Sequence, residues 1–267
     1  MLQALVTSGV VFGIWFSFAV FFHAMVQEFH WRRGSAAAAF SVGSMVQALL
    51  SPVCGMLIDR WGPRLVVVSG LLSMAVGLAA CRMVQELWHL TVLFGVLVGL
   101  GVGLAGQVTH AALLCVWFLK HRGSIIGFAF AGMGLGVQAL SPLTQHLIVL
   151  VGWRQTFVVL ALGTAVYAVL VSLTLRNRPQ DVGLQPYGGM QRTAGSAVPR
   201  AASPLRAVAQ PWTVQQALRT REFWALAVAQ FLIPTGIFPI SVHQVAYLAD
   251  VGFSAQLAAA ILGTTGL

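Results

Sequence analysis

Few side chains in these 267 residues can do chemistry, and they fall into two sets. The first is a compact run of charge, Asp59, Arg60 and Arg64, inside Gly55-Met56-Leu57-Ile58-Asp59-Arg60-Trp61-Gly62-Pro63-Arg64. One acid beside two bases can make and break ion pairs, but it offers no nucleophile-base pair and no second carboxylate. The second set stands alone in apolar sequence: His23, Gln107, His110, Gln230 and His243, with Gln47, Gln138 and Gln244 beside them. Amides and imidazoles there can hydrogen-bond a solute, and a histidine can carry a proton because it titrates near neutrality. Gln107 and His110 are three apart, which would place them on one helical face. Each of these residues equally suits an interhelical hydrogen bond or an anchor at a membrane surface. No catalytic residue is expected, and no metal or cofactor. The glycines of Gly99-Leu100-Gly101-Val102-Gly103 lie within an apolar run, where a phosphate loop would need a strand before it. Cys54, Cys81 and Cys115 have no metal-ligand spacing and suit a packed interior.

The elements that must position these groups are set by composition. Hydrophobic residues make up 58% of the chain and charged residues 8%, against roughly a quarter charged in soluble domains. Mean hydropathy is +0.85. Apolar runs at about 8–29, 36–58, 65–83, 90–118, 124–149, 155–175 and 223–249 are each about long enough to cross a bilayer as a helix. The net charge of +9 does not describe a nucleic-acid surface, because the bases cluster in gaps between these runs. The expected fold is therefore an all-α membrane protein. The gap around 59–64 is so short that the helices flanking it must be antiparallel neighbours, turned at Gly62-Pro63. Gly95, Gly99 and Gly103, and likewise Gly132 and Gly136, recur every fourth residue, a spacing that lets helix backbones approach in lipid. Pro234, Gly236 and Pro239 are expected to break the seventh helix, either to line a cavity or as a harmless kink.

Residues 55–64 resemble the Gly-x-Leu-x-Asp-Arg-x-Gly-Arg signature of the major facilitator superfamily, with Gly55, Leu57, Asp59, Arg60, Gly62 and Arg64 at matching positions. The second base that often follows is replaced by Leu65. The form Asp-Arg-x-Gly-Pro-Arg is most similar to the monocarboxylate and oxalate/formate branch. So are Trp117-Phe118-Leu119-Lys120-His121-Arg122-Gly123, Gly152-Trp153-Arg154 and the stretch from Arg176 through Pro179 and Asp181 to Gly183. The resemblance implies a six-helix amino-terminal bundle at 1–175, a cytoplasmic linker at 176–222 and the start of a second bundle at 223–267. It implies that Gly55, Asp59, Arg60, Gly62 and Arg64 form a cytoplasmic gate motif, and that the first, fourth and seventh helices line the substrate path. His23, Gln107, His110, Gln230 and His243 are then the candidates for substrate binding or proton coupling.

Two patterns bear on the whole chain. With the amino terminus in the cytoplasm, eleven of the fifteen Lys and Arg face inward, at 59–64, 118–123 and 176–221; Arg32, Arg33, Arg82 and Arg154 face outward. A shift of 222 residues lays Glu28 on Asp250 and Ala36-Ala37-Ala38 on Ala258-Ala259-Ala260, so the chain is expected to stop inside its eighth helix, either as a fragment or as a truncated gene product. The function the resemblance implies is secondary transport of a small organic anion across the plasma (bacterial inner) membrane, coupled to protons or a counter-substrate. The alternatives are an exporter of drugs or neutral metabolites, and a transport-inactive or partner-dependent half. Partners are the substrate, the coupling species and the lipid bilayer, with no nucleic acid.

Overall fold

The computed structural model describes residues 1–177, 179–183, 187, 216 and 218–265. They belong to two compact units, Met1–Gly189 with Ser241–Leu267, and Met190–Ile240. Seven helices are long and apolar enough to cross a membrane: α1 (Leu2–Phe29), α2 (Arg33–Trp61), α3 (Pro63–Cys81), α4 (Leu87–Trp117), α5 (Arg122–Val151), α6 (Trp153–Thr174) and α7 (Arg221–Asp250). A shorter helix, α8, covers Ala255–Thr265. Among the described residues there is no β-strand, only an isolated bridge between Phe118 and Tyr187.

The charged motif is not the open loop its composition suggests. Gly55 to Trp61 are the last turns of α2, and Pro63 opens α3, so a single residue, Gly62, joins the two helices. Its φ of 79° suits a residue without Cβ, and Pro63 at the first helical position gives up only an amide that has no acceptor there. Gly152 joins α5 to α6 in the same way, with φ 80° and ψ 159° against 79° and 157° at Gly62.

Helix breaks also differ from expectation. α7 is continuous through Pro234, Gly236 and Pro239. α1 and α4 are interrupted instead. In α1 the Ser17 hydroxyl donates back to the Gly13 carbonyl (2.7 Å), and the helix restarts at Phe18. α4 contains a π-helical stretch, Thr91–Val98, and stops at Gly106 before restarting at Gln107. Breaks at 17 and 106, left-handed residues His30 and His121, and turns at 62 and 152 recur about 90 residues apart, as inverted three-helix repeats would place them.

Small residues set the closest approaches. A Cβ on Gly136 would lie 2.0 Å from the Gly9 carbonyl oxygen, and one on Gly132 would lie 2.0 Å from that of Leu5, so α1 and α5 meet backbone to backbone. Gly95, Gly99 and Gly103 turn one face of α4 onto α2 at Ala39, Gly43 and Leu50. The core beside the α1 break is aromatic. Trp15 stacks on Phe40 (4.6 Å) and Phe94 (5.3 Å), and Phe18 lies 4.6 Å from Phe94.

Residues 176–177, 179–183 and 187 of the expected linker are described. Pro179–Val182 form a 3-10 turn, and Tyr187 bridges the end of α4 through Leu119 N–H to Tyr187 O (2.9 Å) and Tyr187 N–H to Trp117 O (3.0 Å). Most of the remaining linker lies outside the described residues.

Candidate functional site

The gate motif divides into two parts. Gly62 and Arg64 are tied down within the first unit. The Arg64 amide donates to Asn177 Oδ1 (2.9 Å), and its guanidinium donates to the Ser172 carbonyl at the end of α6. The Asn177 carboxamide packs under Gly62, where a Cβ would come within 2.9 Å of it. Asp59 and Arg60 are exposed and make no hydrogen bond or ion pair with another described residue. Gly55 is half-buried in α2, with open space where its side chain would be. Arg64 is therefore a brace between α3 and α6, and Asp59 and Arg60 are the motif charges with no partner among the described residues. Sequence reasoning missed Asn177. Its only signal is a position just past α6 on the side of the motif.

The paired candidates on α4 do not share a surface. His110 is buried, with Nδ1 2.8 Å from the Gly106 carbonyl, whereas Gln107 is exposed. Residues three apart on a helix differ by about 60° around the axis, and the edge of the packed face falls between these two. The break at Gly106 has its own chemistry. Gly106 is extended (φ −88°, ψ −152°), so Gln107, Val108 and Thr109 head a new ladder whose first bond is His110 N–H to Gly106 O (3.3 Å). Thr109 Oγ1 returns to the Leu104 carbonyl (2.6 Å). Such a half-helix start near the middle of a span presents amide donors and partial positive charge.

The remaining candidates are dispersed. His23 on α1 and His243 on α7 lie at the end opposite the motif, each half-buried, with the Phe22 ring edge-on to His243 at 5.6 Å. Gln230 is exposed on α7 in the second unit. Gln138 is exposed on α5, with its backbone against Gly263. Three buried polar atoms have no hydrogen-bond partner among the described residues: Gln47 Nε2, Gln244 Oε1 and Ser141 Oγ. Ser141 was not singled out from sequence, because one hydroxyl in an apolar helix carries no pattern. A cavity of about 150 Å³ near the motif end, lined by Gln3, Leu113, Trp117, Thr174 and Arg176, contains none of the candidates. No group of described residues could hold a metal ion.

Two ion pairs sit opposite the motif. Glu28 accepts from Arg154 (2.6 Å) and from the Trp153 indole (2.5 Å), which explains Gly152-Trp153-Arg154 as a tie between α6 and α1. Arg33 grips Asp250 through both guanidinium nitrogens (2.5 and 2.8 Å), joining α2 to the end of α7.

Helices of membrane length with no charge in the middle of any described span, arranged as inverted repeats, define a polytopic integral membrane protein. The chain belongs to the Major Facilitator Superfamily, which it matches over residues 4–267. It is 32% identical to monocarboxylate transporter 13 of Bos taurus over all of this chain and 57% of that protein. It is 24% identical to the oxalate:formate antiporter of Oxalobacter formigenes over 92% of this chain and 54% of that protein. In fold it is similar to a bacterial homologue of the human lysosomal transporter Spinster, with a TM-score of 0.72 at 17% identity, covering 99% of this chain and 58% of that one. The chain spans about half the length of the relatives it matches. The resemblance read from the charged motif is borne out, and the relatives are named as transporters rather than enzymes.

Proposed function

We propose that the protein is a secondary active transporter of a small organic anion of the monocarboxylate type, working by alternating access and coupled to protons or to a counter-substrate. The observation that carries this is the break in α4 at Gly106. No lysine or arginine lies in the middle of any described span, so the head of the 107–117 half-helix, beside exposed Gln107, is the available positive end for a carboxylate. The names of two relatives, a monocarboxylate transporter and an oxalate:formate antiporter, support the same substrate class. In this reading residues 1–175 form one bundle, 176–222 a cytoplasmic linker and 223–267 the start of the second bundle. The protein lies in the plasma membrane, or the inner membrane of a bacterium, with a cytoplasmic amino terminus. Asp59 and Arg60 engage the opposing bundle as the cytoplasmic gate closes.

A second reading, export of drugs or neutral metabolites, is favoured by that same lack of charge at mid-span. Uptake by proteoliposomes of the native gene product separates the two. Labelled lactate, pyruvate, formate or oxalate enters if the first holds. If none does while a cationic dye is moved, the second takes its place. Asp59→Asn is expected to insert normally and to slow turnover roughly tenfold, as loss of one charge-assisted contact would. Wild-type rates in that variant would remove Asp59 from the gate.

A further inference from the structure

The ion pairs Glu28–Arg154 and Arg33–Asp250 lie at the same end of the bundle and connect different things. Glu28 and Arg154 both belong to the first six helices. Asp250, which a shift of 222 residues lays on Glu28, reaches instead from α7 to Arg33 on α2. Beneath this second pair is an apolar seal. Ala19 and Val20 of α1 pack with Val245 of α7 and with Ala258, Ala259 and Leu262 of α8, all buried. Phe22 meets His243 at its edge, and His23 lies within electrostatic reach of both Asp250 and Arg33. Gln256 Nε2 donates to the Pro142 carbonyl (3.4 Å) beside it.

We propose that Arg33–Asp250 is a latch that holds this end of the translocation path shut and opens when α7 swings away from α2. The inference rests on the alternating-access reading and on assigning α7 to the second bundle. Three features favour a latch over a fixed brace. First, both side chains are about half exposed, 48% and 47%, so both are readily rehydrated on separation and the pair is weak enough to cycle. Second, each charge opposes its own helix. Asp250 is at the carboxyl end of α7 and Arg33 at the amino end of α2, where the macrodipoles disfavour them; each complements the other's helix end instead. The pairing therefore favours contact between the helices over the stability of either alone. Third, both residues stand beside interhelical joints, the element ends where hinges are placed, rather than in mid-helix: His30 to Arg32 before α2, and Gly252, with φ 102°, after α7.

The test is a distance measurement on the intact native gene product in proteoliposomes. Spin labels are placed at Arg32 and Phe253, which flank the pair without belonging to it, in a Cys115→Ser background. The wild type is expected to give mainly the short distance. Asp250→Asn is expected to raise the long-distance share roughly two- to fivefold, the factor an exposed pair supplies. The exchanged pair Arg33→Asp with Asp250→Arg restores the short distance, and Glu28→Gln leaves it unchanged. Wild type at 1 M salt, where the Debye length falls to roughly 3 Å, needs no substitution and should shift in the same direction as Asp250→Asn. Distances that ignore both Asp250→Asn and salt overturn the latch. Uptake in the same vesicles keeps the two proposals separate. Unchanged distances with intact uptake remove the latch and leave transport standing. Shifted distances in vesicles that move no solute keep the latch as a contact and remove the transport reading.

Discussion

Arg64 is held by Asn177 and Ser172, whereas the side chains of Asp59 and Arg60 make no hydrogen bond or ion pair with another described residue. Asn177 was not legible because a single amide in a polar loop has many possible partners, and only the three-dimensional return of α6 to Gly62 selects one. Gln107 and His110 looked alike in sequence and differ in place. His110 is spent on the Gly106 carbonyl, whereas Gln107 is open. His110→Ala should therefore cost about 1–3 kcal/mol of stability, read as a lower melting temperature, because the Gly106 carbonyl keeps only its backbone donor, His110 N–H, and the buried ring leaves a void. Gln107→Ala should leave the melting temperature alone and raise KM for the transported acid. The reverse pattern would make His110 the substrate contact.

Helices were legible and their interruptions were not. Hydropathy finds a 20-residue apolar run whatever its internal geometry, so the expected spans fall within a few residues of α2 to α7; α1 is the exception, starting at Leu2 rather than near residue 8. The breaks depend on single hydrogen bonds. At Ser17 the hydroxyl shares the Gly13 carbonyl with the Ser17 amide and α1 is interrupted, Gly106 stops α4, and α7 runs unbroken despite its prolines. A proline removes one ladder bond, a loss that a membrane helix can absorb. The glycine spacing, by contrast, predicted close packing correctly, and it can be tested where the approach is tightest. Gly136→Ala should destabilise the protein by about 1–3 kcal/mol, since its Cβ would overlap the Gly9 backbone. Gly163→Ala on α6, with nothing within 4 Å of its Cβ, is the matched control and should change little. Equal melting temperatures for the two variants would mean that α1 and α5 can separate at no cost.

For the whole molecule, internal repetition was readable at one scale and hidden at another. The 222-residue shift rests on letters, Glu28 with Asp250 and two alanine runs. The shorter recurrence of about 90 residues rests on backbone shape, at Ser17 and Gly106, His30 and His121, and Gly62 and Gly152; the last two pairs share their residue, but two isolated matches show as a repeat only once the backbone is seen. Orientation remains an inference from charge, and it has a direct check. Position 195 lies outside the described residues, and the proposed orientation, from the bias of eleven bases to four, predicts a cytoplasmic location for it. A cysteine at Gly195 should resist impermeant thiol reagents in intact cells and react after permeabilisation. Ready labelling in intact cells would invert the topology.

The one-residue joints at Gly62 and Gly152 also constrain biosynthesis. A linker of one residue has no slack, so α2 cannot settle in the bilayer while α3 waits in water; the same holds for α5 and α6. Each pair must leave the insertion machinery as a closed hairpin. The joints before α2, α4 and α5 are longer, at 30–32, 82–86 and 118–121, so the same constraint does not bind α1 to α2 or α4 to its neighbours.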